Sequence, residues 1–166
     1  MQNEIFNTYG IYYDLLYSDK SYEDEVKYLK KLLNNNGILK GDILEFGSGT
    51  GKHGILLSKE GFNVHGIELS EQMVAKAKSQ QEKNFTCQQG DIALVKMDRL
   101  YDAVLSLFHV ISYQTTKTQL NAVFSNASDH LSKNGLFIFD FWFSPAVFMQ
   151  RPSVRIKIMK DKKFEV

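Results

Sequence analysis

Three glycines at alternate positions, Gly47, Gly49 and Gly51, follow an apolar run that carries one acid, Glu45, in ILEFGSGTGKHG. Glycines spaced this way after a strand let a backbone approach a ligand closely and take torsions that a side chain would forbid. A helix opening at Lys52 would turn unpaired N–H groups and a partial positive charge toward that ligand, so an anionic group belongs there. Two further acids follow at expected strand ends, Glu68 in VHGIEL and Asp91 in QQGDI. Beyond them SLFHVISYQ holds His109 and Tyr113, polar groups that could bind a reactant or move its proton.

Three ligands compete for the glycine loop. A GxxxxGK[ST] phosphate loop needs a glycine at 46 and a hydroxyl at 53, and the chain has Phe46 and His53. A dinucleotide fingerprint GxGxxG is literally present from Gly49 to Gly54, although its first glycine comes late after the strand. An NAD-dependent oxidoreductase is therefore a rival reading, and the absence of a basic residue in Leu69-Ser70 disfavours NADP. The third reading takes Glu45-x-Gly47-x-Gly49-x-Gly51 as the unit, which gives a role to an acid that burial would otherwise penalise.

Taken as that unit, ILEFGSGTGKHG resembles the first motif of class I S-adenosylmethionine-dependent methyltransferases. The resemblance implies that the loop and helix N-terminus serve the methionine carboxylate and that Glu45 serves the ammonium group. Glu68 would take both ribose hydroxyls, Asp91 would accept from the adenine amino group, and Ile92 would pack on the ring. Around the same cofactor the resemblance sets Ser48, His53, Leu69, Met73, Gly90 and Leu107. Together with FHVISY, the N-terminal YYDLLYSDKSYEDE is similar to small-molecule methyltransferases, including the amino-sugar N,N-dimethyltransferases. That match implies that Tyr13 and Tyr22 line the cofactor pocket. The chain departs from those enzymes at Tyr113, where they tend to carry histidine. His109 and Tyr113 are the expected catalytic or acceptor-site groups, beside strand-capping and packing roles that the sequence leaves open.

These residues need a scaffold that collects strand ends. Helical spacing of Val26, Leu29, Leu32 and Leu33 predicts a helix over 22–34, stopped by Asn35, Asn36 and Gly37. Strands are expected over 42–46, 63–68, 84–88, 101–108 and 135–143, and helices over 52–60, from Ser70 as N-cap, and over 118–131. The continuous apolar run of YDAVLSLF suits a strand buried on both faces. Strand and helix alternate throughout, which predicts an α/β fold: a Rossmann-like, doubly wound, mostly parallel sheet with helices on both faces. Residues 1–35 are expected to form a helical, tyrosine-rich lid, 36–145 the cofactor-binding core, and 146–166 the start of an antiparallel substrate-side segment. A strand is expected over Val154–Met159. Folds of this type continue past the fifth strand, so a fragment, incomplete at its C-terminus, is expected to bind cofactor and turn over poorly or not at all.

Composition narrows the classes further. With 166 residues, 43% hydrophobic and 23% charged, the chain suits one soluble domain. A net charge of +1 gives no field for nucleic acid or membrane. The basic run Arg155, Lys157, Lys160, Lys162 and Lys163 fits a solvated strand face better than a phosphate track. With prolines only at 145 and 152, the Asp/Asn-Pro-Pro-aromatic motif of nucleic-acid amino-methyltransferases is absent. One cysteine, Cys87, rules out an internal disulfide framework and fits a reducing compartment. The N-terminus has no signal peptide and no run of 18 apolar residues occurs, so a cytoplasmic location is expected. His53, His65, His109 and His130 lack metal-ligand spacing, so no metal is expected. The expectation is a methyltransferase (EC 2.1.1.-) acting on an O or N atom of a small metabolite. Its cofactor would be S-adenosyl-L-methionine and its product S-adenosyl-L-homocysteine, with a homodimer left open. The rivals are the NAD enzyme and a non-catalytic cofactor-binding fragment.

Overall fold

A computed structural model describes residues 13–150, together with 154, 156 and 158–160. Its elements run α1 (Tyr13–Leu16), α2 (Tyr22–Asn35), β1 (Asp42–Phe46), α3 (Lys52–Lys59), β2 (Asn63–Glu68) and α4 (Glu71–Ser79). They continue with β3 (Phe85–Gln89), β4 (Tyr101–Ser106), a 3-10 turn (Val110–Tyr113), α5 (Lys117–His130), β5 (Leu131–Phe139) and α6 (Ser144–Met149).

The five strands form one sheet in the order β3-β2-β1-β4-β5, and each neighbouring pair runs parallel. β1 and β4 lie at its centre, which is why their sequences are apolar almost throughout. Their alternate residues feed two cores. Ile43, Val64, Ala103 and Leu105 pack on one face with Val26, Leu33, Leu57, Val74 and Ala77 from α2, α3 and α4. Leu44, Phe46, Ile67 and Val104 pack on the other with Val123 and Ala127 of α5. α2 buries Tyr22, Val26, Leu29 and Leu33, an i, i+4, i+7, i+11 stripe. Of the expected lid over 1–35, α2 is thus a core helix, and α1 is the described part that lies outside the core.

Local signals fix the helix starts. The Ser70 hydroxyl accepts from the Met73 N–H at 3.4 Å, the N-cap expected from sequence. Thr116 and Gln119 form a reciprocal capping box at α5.

The fifth strand departs from expectation. It spans Leu131–Phe139 rather than 135–143, and it pairs with β4 through an irregularity between Tyr101 and Ala103. The apolar run DFWF leaves the sheet, because Asp140 turns its carboxylate onto the end of β4 instead. β4 likewise stops at Ser106, since Phe108 and His109 adopt left-handed torsions. After Phe143 the chain forms α6, which buries none of its residues. The strand expected over 154–159 and most of the basic run fall largely outside the described residues. Among the described residues no helix is long and apolar enough to cross a membrane.

Candidate functional site

The order of strands reverses between β1 and β4, with β1 connecting onward to β2 on one side while β4 lies on the other. At such a switch point the loops leaving the carboxyl ends diverge and open a crevice. Two cavities, of about 170 and 390 Å³, lie there and meet at Gly47, Glu68, Val110 and Tyr113. Their combined size falls in the range of small-molecule sites, about 300–1,000 Å³.

The glycine loop forms the floor. Gly47, Gly49 and Gly51 all take positive φ, at 71°, 56° and 82°. At Gly47 the glycine is also sterically required, because a Cβ would come within 2.5 Å of a Val110 methyl. The Gly47 and Ser48 N–H groups donate to the Ile67 carbonyl, tying the loop to β2. The Glu68 carboxylate accepts from the Gly49 N–H and the Ser70 N–H, each at 2.9 Å. Burial still raises its pKa, with these backbone donors pulling the other way. No acidic residue occupies the first turn of α3, so its N-terminus keeps its preference for an anion.

Around the smaller cavity stand Glu68, Leu69, Gly90, Asp91 and Ile92, with Gln114 and Gln119. Asp91 Oδ1 accepts from the Ala93 N–H at 2.8 Å, so this acid also caps its own turn. That turn is held from behind by α5. The Asn126 side chain donates to the Ile92 carbonyl at 2.8 Å, and the Met97 N–H donates to His130 Nε2 at 2.9 Å.

The larger cavity is ringed by aromatics. Tyr13, Tyr17, Phe108, His109, Tyr113 and Trp142 line it, with Met73 and Leu107. Tyr17 meets the Phe108 ring edge-on at 5.0 Å, and His109 stacks on Trp142 at 4.5 Å. α1 is pinned over the loop by Asp14, which accepts from Thr50 Oγ1 at 2.7 Å and pairs with Lys76 at 2.9 Å.

Twelve of the residues expected from sequence thus border the cavities: Tyr13, Gly47, Gly49, Glu68, Leu69, Met73, Gly90, Asp91, Ile92, Leu107, His109 and Tyr113. Five others do not. Glu45, His53 and Tyr22 lie behind the loop, and Ser48 and Gly51 belong to the loop but face away from the cavities. The Ser48 hydroxyl faces Cys87 at 3.5 Å, and Gly51 packs against the Phe85 ring. Glu45 is 1% exposed, and its Oε2 lies where a Cβ at Gly54 would meet it, directed at α3 rather than at the cavity. His53 stands between two acids, with Nε2 2.6 Å from Glu25 and Nδ1 3.9 Å from Glu45. Tyr22 meets His53 edge-on, and burial is the first cause of its phenol being pushed up to about 12. Tyr17, Phe108, Val110, Trp142, Gln114 and Gln119 were not expected from sequence. The signal for Tyr17 was present in the tyrosine cluster, while Trp142 was hidden inside an expected strand.

The chain matches the family of methyltransferase domains over residues 43–135. It is 30% identical over 138 residues to the dTDP-3-amino-3,4,6-trideoxy-alpha-D-glucopyranose N,N-dimethyltransferase of Streptomyces venezuelae, a match covering 82% of this chain and 58% of that one. It is 26% identical to the dTDP-3-amino-3,6-dideoxy-alpha-D-glucopyranose N,N-dimethyltransferase of Streptomyces fradiae, covering 82% of this chain and 54% of the other. The chain therefore spans a little over half the length of these two relatives. Among solved structures, Streptomyces venezuelae DesVI superposes with a TM-score of 0.80 at 27% identity, over 90% of this chain and 64% of that one. The loop at the sheet's switch point, the two acids beyond it and these matches together assign the chain to the family of methyltransferase domains.

Proposed function

We propose that this chain binds S-adenosylmethionine across the two joined cavities and directs its methyl group to a nucleophile on a small metabolite. The observation that carries the reading is the shared edge of the cavities. There Gly47, Glu68, Val110 and Tyr113 border both an acid-lined compartment and an aromatic one. The residues fit the cofactor chemically. Asp91 and Ile92 offer an acceptor and an apolar surface for a purine. Glu68, whose two oxygens each keep a lone pair beyond the bonds from the Gly49 and Ser70 N–H groups, suits a vicinal diol. The aromatic ring of the larger cavity suits a sulfonium, because π-faces attract cations.

When bound, S-adenosylmethionine supplies an electrophilic methyl carbon on positively charged sulfur. The work of this chain is alignment, exclusion of water and management of one proton. Gly47 and Gly49, which line the larger cavity without side chains, would seat the amino-acid end of the cofactor. Tyr13 and Tyr17, fastened by Asp14, close the aromatic cavity from above. His109 and Tyr113 face the acceptor compartment, with His109 as the proton acceptor. Glu45 acts through the loop it stiffens and does not touch the ligand. Among N and O acceptors the names of the relatives favour an amine, and an amino sugar is the first class to try.

The test is titration calorimetry with S-adenosylhomocysteine and, separately, with NAD. Binding of the first alone is expected, weakened about tenfold by Asp91→Ala through loss of one hydrogen bond. Binding of NAD in its place would overturn the proposal.

A further inference from the structure

The end of β4 carries an energetic oddity. Phe108 and His109, consecutive and neither of them glycine, both sit in the left-handed region, at φ 60° and 64°. Such torsions persist only where the surroundings enforce them, and they gather at functional sites. If the chain needed only to turn here, glycine would turn it without strain. Instead the corner holds two ring side chains against the aromatic cavity.

Asp140, just past β5, supplies the enforcement. Its Oδ2 accepts from the Phe108 N–H at 3.1 Å and its Oδ1 accepts from the His109 N–H at 2.7 Å. One carboxylate thus binds both strained amides, one oxygen to each. Two residues on, Trp142 stacks on His109 with ring centroids 4.5 Å apart and planes inclined by 27°. The Trp142 N–H is itself anchored on Ser112 Oγ at 3.1 Å. His109 Nδ1 is buried without a hydrogen-bond partner and lies 3.9 Å from Asp140 Oδ2, too far for a bond. The ring is therefore oriented by stacking and by its backbone, not by a hydrogen bond at Nδ1.

We infer that Asp140 is a positioning residue for methyl transfer. It pins the Phe108–His109 corner and, with Trp142 as brace, aims the His109 ring into the acceptor compartment. The inference rests on the methyltransferase reading of the cavity and adds to it the two residues that set the aim of the proton acceptor.

The stack offers its own reporter, since Trp142 is the single tryptophan of the chain. A histidine ring stacked on an indole quenches its emission by contact, so at one fixed pH Trp142 of the parent chain is expected to emit less than it does once His109 is replaced. The other ionisable groups lining this cavity are Tyr13, Tyr17, Tyr113 and Glu68, with Lys20 over the Phe108 ring and Asp140 beside the His109 ring. His109→Phe removes the histidine alone and is expected to abolish the quench. Asp140→Asn keeps the shape but offers one acceptor oxygen instead of two, and is expected to lose at least half of it. Phe108→Gly added to Asp140→Asn removes the torsional cost at 108 and is expected to restore part of the loss. It serves equally if the single variant fails to fold.

S-adenosylhomocysteine affinity, measured alongside, should change by less than about threefold in Asp140→Asn, because other residues hold that ligand. An undiminished quench in Asp140→Asn, no restoration by Phe108→Gly, or no His109-dependent quench in the parent would each overturn the inference. Failure of the parent chain to bind S-adenosylhomocysteine would instead count against the methyltransferase reading, and the emission result would stand apart from it.

Discussion

Glu25 and Glu45 approach one imidazole from opposite sides, and their surroundings drive their proton affinities apart. The hydrogen bond to His53 is the largest cause holding Glu25 down at about 2, with burial opposing it and Lys20 helping. Burial is the largest cause raising Glu45 to about 7, with His53 opposing it and Glu68 adding to it. The folded state therefore holds the Glu45 proton more tightly than the unfolded chain, whose carboxyl sits near 4.5. Its contribution to stability is complete below the unfolded value and is lost as pH rises toward 7, a span worth on the order of 3 kcal/mol. Glu25 has the reverse sign: its contribution is present above 4.5 and is lost as pH falls toward 2. The thermal midpoint should accordingly decline between about pH 4.5 and 7, and Glu45→Gln should flatten that decline in a pH series of melts. The cost of burying Glu45 was legible in the sequence, as an acid inside ILEF. What relieves it was not, because His53 reaches it only once α3 lies across β1.

At the scale of elements, α5 does two jobs. One face completes the core with Val123 and Ala127, and the same helix holds the Asp91 turn through Asn126 and His130. Asn126→Ala leaves the Ile92 carbonyl without its buried donor and should cost about 1–3 kcal/mol in urea unfolding. It should also weaken S-adenosylhomocysteine by several fold, since the turn it steadies carries Asp91. Asp129→Ala, which removes only an exposed pair with Lys96, should cost less than about 1 kcal/mol and leave the affinity alone. The helix itself was readable from its periodicity, as were β1, β2 and the Ser70 cap. The end of β5 was not. GLFIFDFWF is apolar far past the point where pairing stops, and only the bonds from Asp140 to the end of β4 show why the chain departs. Sequence patterning reports burial well and reports hydrogen-bond partners across tens of residues poorly, and the acceptor side of this site depends on such partners.

For the molecule as a whole, the site belongs to loops gathered from β1, β2, β3 and β4, so a ligand that bridges them must tie them together. Saturation with S-adenosylhomocysteine at a hundredfold excess over its Kd should stabilise the fold by about 2.7 kcal/mol. In a melt this should appear as a rise of roughly 5–10 °C in midpoint. NAD at the same concentration should leave the midpoint in place. The parallel architecture and the crevice at its switch point followed from alternation of strand and helix. The aromatic character of the larger cavity did not, because Tyr17, Phe108 and Trp142 are drawn from three separate segments.

The close approach of Gly47 and Val110 ties what one loop can carry to what the other can. A lineage that gained a side chain at 47 would have to shed one at 110, and the left-handed torsion at 47 would still tax the exchange. The void opened at 110 would face both cavities, so room taken from the cofactor loop would reappear as room for a bulkier acceptor. Substrate range and loop sequence should therefore drift together in descendants of this fold, with position 110 as the hinge between them.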